Sequence, residues 1–191
     1  MPLDVPEGLL RDGRFREGFA RLLTFGLSFD AWLYFTQVAD VADLARAFTQ
    51  ATIILDHLAS PLGVGPYAGK RNEVFAVWHR AIKELAQYPN VNVKLGGLGM
   101  KIIGFGFHER PRPPSSLELA QAWRPYIEAC IAAFCADRCM FESNFAVDRE
   151  SYSYPVLWNA FKRLASQYSK DEQAALFSGT AARVYRLESA L

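Results

Sequence analysis

The sequence contains few cysteines, few histidines and almost no net charge. The three cysteines, Cys130, Cys135 and Cys139, have no CxxC spacing, so neither a zinc ribbon nor a redox motif is indicated, and reduced thiols are expected. The net charge of +1, without a basic block, argues against nucleic-acid binding. No apolar run has the ~20 residues of a membrane span, and Met1–Pro6 lacks signal-peptide features. We therefore expect a cytoplasmic protein that binds neither nucleic acid nor membrane.

The remaining composition is that of an ordinary globular protein, and 191 residues suffice for one domain covering 1–191. Apolar runs alternate with segments of helical periodicity, beginning with a helix near 12–23. Each of four apolar runs precedes a helical segment, and strands are predicted near 27–31, 52–57, 91–96 and 138–144. Strands that alternate with helices form parallel sheets, so the sequence predicts an α/β fold of four βα units.

Local signals predict three further details of the helices. Ser169 followed by Glu172 is a capping box at a helix start. Asn72 is expected to cap the helix that runs to about residue 87. Pro125 is expected to kink or split the long helix that begins near Ser116.

The segment Thr52–Pro61 organises the functional interpretation. Its first four residues are β-branched or apolar, which is typical of a strand buried on both faces, and the run ends at Asp56 and His57. Functional groups in parallel α/β sheets gather at the carboxyl ends of strands. The apolar part is therefore interpreted as scaffold and the Asp-His end as part of a site.

Polar residues lie near the ends of all four predicted strands. Because side chains alternate along a strand, we expect one pocket edge to hold Asp30, His57, Lys94, Glu142 and Asn144. This set contains a candidate general base, a cation for a developing oxyanion, and hydrogen-bonding groups. The same alternation places Ile53 and Leu55 on the side of His57.

Each candidate also has a structural interpretation. Asp30 is suited to capping a turn, and His57 to a hydrogen-bonded place in the core. Lys94 and Glu142 are suited to a structural ion pair, and such pairs perturb pKa values without doing chemistry. Asn144 is suited to binding a loop. The residues alone leave these alternatives open.

Aromatic residues and a third histidine lie in the predicted loops. Trp32, Tyr34, Tyr67, Phe105 and Phe107 suggest an aromatic-lined pocket, although aromatic residues at strand ends often serve only packing. With Asp30, we name Trp32, Tyr67 and His108 as candidate substrate-binding residues.

Four segments resemble, in the same order, the amidohydrolase-2 branch of the amidohydrolase superfamily: Ile54–His57 with Pro61, Asn90–Leu98, Arg138–Phe145 and Thr180–Tyr185. The resemblance extends over about residues 8–188. It implies a TIM-barrel fold and a metal-dependent hydrolase, in a branch that includes lactonases and decarboxylases. Matching in order, the chain resembles strands five to eight, that is, a half or incomplete (β/α)8 barrel. We expect that the N-terminal half is absent through truncation, through the start of the gene model, or because the protein is a natural half-barrel.

The chain departs from the family pattern at the metal site. Members often use a divalent metal such as zinc, held partly by a His-x-His pair that this sequence lacks. Asn144 stands where many relatives have an aspartate, and Asp30 where metal-binding relatives often have a histidine. Of the family's metal set only His57 remains, whereas zinc needs about three protein ligands. We therefore expect no bound metal or other cofactor.

Two functions follow from the resemblance. The first is hydrolysis of a small cyclic ester (lactone) or amide by attack of water on the carbonyl. His57 and Lys94 would polarise the carbonyl, and Glu142 would accept a proton. The second is a non-catalytic half-barrel that has lost the metal site and the activity.

Because four strands cannot close a barrel, we expect open edges near 27–31 and 138–144 and an exposed apolar patch with Ile53, Leu55, Val93 and Met140. Alone, the chain would then form a homodimer or be poorly soluble.

Overall fold

In a computed structural model, residues 8–187 are described, and the segment Met1–Pro6 considered above lies outside them. The strands are β1 Phe29–Ala31, β2 Ile53–Leu55, β3 Val91–Leu95 and β4 Cys139–Phe141. The helices are α1 Gly13–Thr24, α2 Val38–Ala47, α3 Arg71–Leu85, α4 Ser116–Phe134, α5 Phe145–Asp148, α6 Tyr154–Ala165, α7 Lys170–Ala174 and α8 Thr180–Tyr185. A π-helical turn, Ala175–Gly179, joins α7 to α8.

The four strands form one parallel sheet in the order β1-β2-β3-β4. Helices lie between successive strands, so the predicted α/β fold of four βα units is confirmed. β1 and β4 are the two edges of this sheet, as predicted. In this part of the chain the sheet is therefore a partial barrel.

The two faces of the sheet differ in what covers them. Ile53, Leu55 and Val93 belong to the main core, which packs the sheet against the helices. Ile54 and Met140 point to the opposite, inner face, in the rows of Asp30 and Lys94. The expectation that Ile53, Leu55 and Val93 face the inside was therefore wrong. For Ile53 and Leu55 it assumed that the strand continues through His57, and Val93 faces outward because it alternates with Lys94.

Helix α8 covers part of the inner face. Val184 packs on Ile54 and Met140, and Tyr185 packs against this small cluster. Met140 is 2% exposed, and Ile53, Leu55 and Val93 are fully buried. The exposed apolar patch expected for these four residues is therefore not found, because the helices and α8 cover them.

The three predicted details of the helices have different outcomes in the structure. The capping box of Ser169 and Glu172 is present, with the Ser169 hydroxyl accepting from the Glu172 amide. Asn72 does not cap α3, because the helix already begins at Arg71 after Lys70. Pro125 lies inside α4, which is not split. In the described part of the chain, no helix combines the length and apolarity needed to cross a membrane.

Candidate active site

The chain after β2 makes an unusual left-handed turn. His57, Leu58, Ala59 and Ser60 have φ angles of 52°, 51°, 58° and 40°, although none of them is glycine. Left-handed backbone costs roughly 1–2 kcal/mol for each such residue. The turn persists because Leu58, Ala59 and Ser60 are fully buried and the Trp78 indole donates to the Leu58 carbonyl at 2.7 Å. Strain of this kind clusters at functional sites.

The turn takes His57 out of the strand and brings its ring to Glu142, which follows β4. His57 Nδ1 is hydrogen-bonded to Glu142 Oε1. Two glycines after β3 make room for this pair. A Cβ at Gly97 would lie 2.8 Å from the His57 ring, and one at Gly96 would lie 2.3 Å from Glu142 Cγ. The Gly-Gly sequence is thus required by the close approach of both side chains.

The His57–Glu142 pair is shielded from water. Each of the two side chains is 15% exposed. Burial lowers the pKa of His57, but the hydrogen bond with Glu142 and the negative charges around it outweigh that effect and raise the pKa above 6.5. The geometry therefore favours an imidazolium–carboxylate pair with Nε2 as the nitrogen left to meet a ligand.

Lys94 forms a second cluster on the inner face. Its ammonium contacts Asp30 and lies 2.9 Å from Asp56 Oδ1. The Tyr185 hydroxyl of α8 donates to Asp30 at 2.6 Å. Burial lowers the pKa of Lys94, but its bonds to the two carboxylates outweigh this and raise it. Burial raises the pKa of Asp56, and burial together with Asp30 raises the pKa of Tyr185 to about 12. The Lys94–Glu142 ion pair considered from the sequence is not formed, because each residue has another partner.

A pocket of about 540 Å³ opens beside the His57 ring. Its lining comprises Trp32, His57, Gly99, Met100, Lys101, Ile102, Asn144, Ala146, Val147, Arg149, Glu150 and Ser151. The Trp32 ring meets the His57 ring edge-on at 6.2 Å, and the Trp32 side chain is 46% exposed. His57, Trp32 and Asn144 therefore line the same pocket.

Two candidate substrate-binding residues lie away from this pocket. Tyr67 packs against Phe35 at 5.2 Å and belongs to the rim of the main core. His108 lies in a short turn, with Nε2 3.5 Å from Glu109 Oε1. Tyr34, Phe105 and Phe107 likewise pack in or against the core. A role for Tyr67 and His108 in binding stays a prediction without support from the pocket lining.

The sequence interpretation missed one buried carboxylate. Asp148, at the end of α5, is 1% exposed and accepts hydrogen bonds from the Gly99 amide, the Asn144 amide and the Tyr152 hydroxyl. Burial raises its pKa to about 6. Its spacing of four residues from Asn144, on one helical turn, was the available signal.

The described side chains do not by themselves fit a catalytic zinc ion. Such a site takes three protein ligands, and within residues 8–187 no group of three or more His, Cys, Asp or Glu side chains could hold a metal ion. His57 Nδ1 is engaged by Glu142, and the Lys94 ammonium already lies between Asp30 and Asp56. That the protein binds no metal stays a prediction, which elemental analysis tests.

Parallel βα units with a histidine–carboxylate pair at the carboxyl ends of the strands define a barrel-type α/β domain with the site position of (β/α)8 enzymes. A family model described as Amidohydrolase matches residues 1–187. The chain therefore belongs to the amidohydrolase family, as the sequence motifs predicted.

Relatives agree with this assignment. The chain is 40% identical over 185 residues to an uncharacterized protein of Sinorhizobium fredii, covering 97% of this chain and 55% of that protein. It is 29% identical over 171 residues to an L-fucono-1,5-lactonase of Burkholderia ambifaria, covering 87% of this chain and 52% of the lactonase. A crystal structure of an amidohydrolase from Burkholderia multivorans with bound zinc superposes with a TM-score of 0.83 at 26% identity, covering 98% and 63%. The chain thus spans about half to two thirds of the length of these relatives.

Proposed function

We propose that the protein hydrolyses a small cyclic ester, a lactone, or its amide analogue by attack of water on the ring carbonyl. The observation that carries the proposal is the shielded His57–Glu142 pair, in which His57 lines a pocket of about 540 Å³ and Glu142 is hydrogen-bonded to it. The lactonase relative at 29% identity supports the choice of a lactone.

In the proposed reaction, a water oxygen bonds to the carbonyl carbon while protonated His57 donates a hydrogen bond from Nε2 to the carbonyl oxygen, which becomes negatively charged. Glu142 accepts a proton from the water. The ring C–O bond then breaks, and the leaving oxygen takes the Nε2 proton of His57, which gives the hydroxy acid. Solvent water then takes the proton from Glu142 and returns one to His57 Nε2, which restores the pair.

The role predicted for Lys94, polarising the carbonyl, has less support from the geometry. Lys94 balances the carboxylates of Asp30 and Asp56 and is not among the pocket-lining residues. In the proposed reaction, the Lys94 ammonium neutralises part of the negative charge of Asp30 and Asp56 near His57. A direct contact of Asp30 or Lys94 with substrate stays a prediction.

The test is hydrolysis of δ-valerolactone at pH 7, followed with a pH indicator. Glu142→Gln should lower kcat at least about 100-fold, because it removes both the proton acceptor and the charge that holds His57 protonated. Glu84→Gln, an exposed carboxylate on α3, is the control and should behave as wild type. Full activity of E142Q would contradict the proposed mechanism.

The alternative is a non-catalytic half-barrel. Two observations support it. The chain spans only 55% of the length of the Sinorhizobium fredii relative. Within residues 8–187, no three His, Cys, Asp or Glu side chains are grouped so that they could hold a metal ion. A wild-type chain that hydrolyses no lactone above the buffer rate would favour it.

For the location we propose the cytoplasm, because Cys130, Cys135 and Cys139 are free thiols.

A further inference from the structure

The buried carboxylate of Asp148 connects two chain segments that line the pocket, although Asp148 itself does not line it. Asp148 Oδ2 accepts from the Gly99 amide at 3.1 Å and from the Tyr152 hydroxyl at 2.6 Å. Asp148 Oδ1 accepts from Asn144 Nδ2 at 2.9 Å. Gly99 and Asn144 both line the pocket, and the Ser151 hydroxyl adds a bond to the Gly99 carbonyl at 2.7 Å. The carboxylate thus ties the loop after β3 to the segment after β4.

These bonds determine which atom of Asn144 meets the pocket. An ionised carboxylate can only accept hydrogen bonds, so Asn144 must direct its NH₂ group to Asp148. Its carbonyl oxygen, Oδ1, then has no bond to Asp148, and Asn144 is one of the residues that line the pocket. Asn144 also has a left-handed backbone, with φ of 42°, which asparagine tolerates better than most residues.

We propose that Asp148 is a positioning residue that holds the Asn144 amide with Oδ1 toward the pocket, where it accepts a hydrogen bond from the attacking water. This inference rests on the proposed function for its kinetic consequence but not for its geometry. Water attacks through a lone pair, so it must donate both of its hydrogens elsewhere. Glu142 accepts one of them in the proposed reaction, and Asn144 Oδ1 accepts the other.

The variant Asp148→Asn reverses this arrangement with little change in volume. Its amide oxygen can replace Oδ2 and still accept from Tyr152 and Gly99. Its NH₂ group then faces Asn144 and can only donate, so the Asn144 amide must turn over. The pocket then meets an NH₂ donor, which would occupy the lone pair that the water needs for attack.

The kinetic test compares D148N with Tyr152→Phe at pH 7.5, above the pKa of about 6 of Asp148, using δ-valerolactone. D148N should lower kcat at least about tenfold while KM changes less than about twofold, because the change affects the water rather than the substrate. Y152F also removes a bond to Asp148 but leaves the Asn144 contact, and it should keep a kcat near wild type. Wild-type kcat in D148N, or an equal loss in Y152F, would overturn the proposal.

A second measurement does not depend on enzymatic activity, and its main comparison uses only the wild-type chain. Water exchange of the Asn144 side-chain NH₂, measured by NMR in the wild-type chain, should be at least about tenfold slower than that of Asn72, which is exposed on α3. In folded D148N the Asn144 exchange should accelerate. Equal exchange of Asn144 and Asn72 in the wild type would refute the assigned orientation. If the wild type lacks lactone hydrolysis but shows slow exchange, the proposed function fails and the orientation stands.

Discussion

Replacing Trp78 by phenylalanine should test whether its indole supports the left-handed turn at His57. Trp78 is fully buried, and its Nε1 donates to the Leu58 carbonyl at 2.7 Å. Phenylalanine keeps most of the ring but has no donor. The Leu58 carbonyl, in the middle of the strained turn, would then be buried without its partner, which costs about 1–3 kcal/mol.

Trp123→Phe is a matched control. Trp123 is 1% exposed, and its Nε1 has no hydrogen-bond partner within the described residues. Both substitutions lose a similar packing contribution, about 1–2 kcal/mol from the removed ring atoms. Only W78F also loses a hydrogen bond. We therefore expect the free energy of unfolding to fall by about 1–3 kcal/mol more in W78F than in W123F.

Urea unfolding with an unchanged m value measures this difference. The NMR signals of His57 report the turn directly, and they should shift in W78F and much less in W123F. Equal losses of stability in the two variants, with His57 unchanged in both, would refute the idea that Trp78 holds the turn.

Three further predictions follow from the site and the sheet. Gly97→Ala should lower the free energy of unfolding, measured with urea, more than Gly69→Ala does. Both glycines have a φ near +70°, but only a Cβ at Gly97 would meet the His57 ring. Equal losses of unfolding free energy in the two variants would contradict the close approach of His57 to Gly97. Burial raises the pKa of Asp148 from 3.8 to about 6, so its contribution to stability is fully present below pH 3.8 and is lost as the pH rises through 6. The unfolding free energy of wild type minus D148N should thus fall by on the order of 3 kcal/mol between pH 4 and 7, and a flat difference would argue against a perturbed carboxyl. We also predict that the two open sheet edges cause association, visible by light scattering as mass that rises with concentration; a constant monomer mass would show that these edges are protected.

The order of strands and helices was predictable because each strand lies in a mainly apolar run and each helix has a clear periodicity. The inner and outer faces were not. Ile53, Ile54 and Leu55 are all apolar and all fully buried, so the run contains no alternation from which to determine the direction of each side chain. The error in assigning faces arose there.

The sequence indicated which polar residues end the strands but not how they pair. Glu142 and His57 were expected at strand ends, but the four left-handed residues from His57 to Ser60 include no glycine that would have signalled the turn. Asp148 escaped notice because its burial depends on donors at Gly99 and Tyr152. The contact with Gly99 is a tertiary one that no local pattern encodes, although the spacing of four residues to Asn144 and to Tyr152 was visible in the sequence.

The last helix has a consequence for synthesis on the ribosome. Asp30 at the first edge strand receives the Tyr185 hydroxyl across 155 positions of sequence, and the Arg186 guanidinium contacts the Gly26 carbonyl across 160. A nascent chain therefore lacks these contacts to β1 and to the segment before it until residues 185 and 186 have been added. Because ribosomes add about 5–20 residues each second, that interval is on the order of ten seconds. A release experiment with stalled chains ending before and after residue 186 should show when β1 becomes resistant to protease.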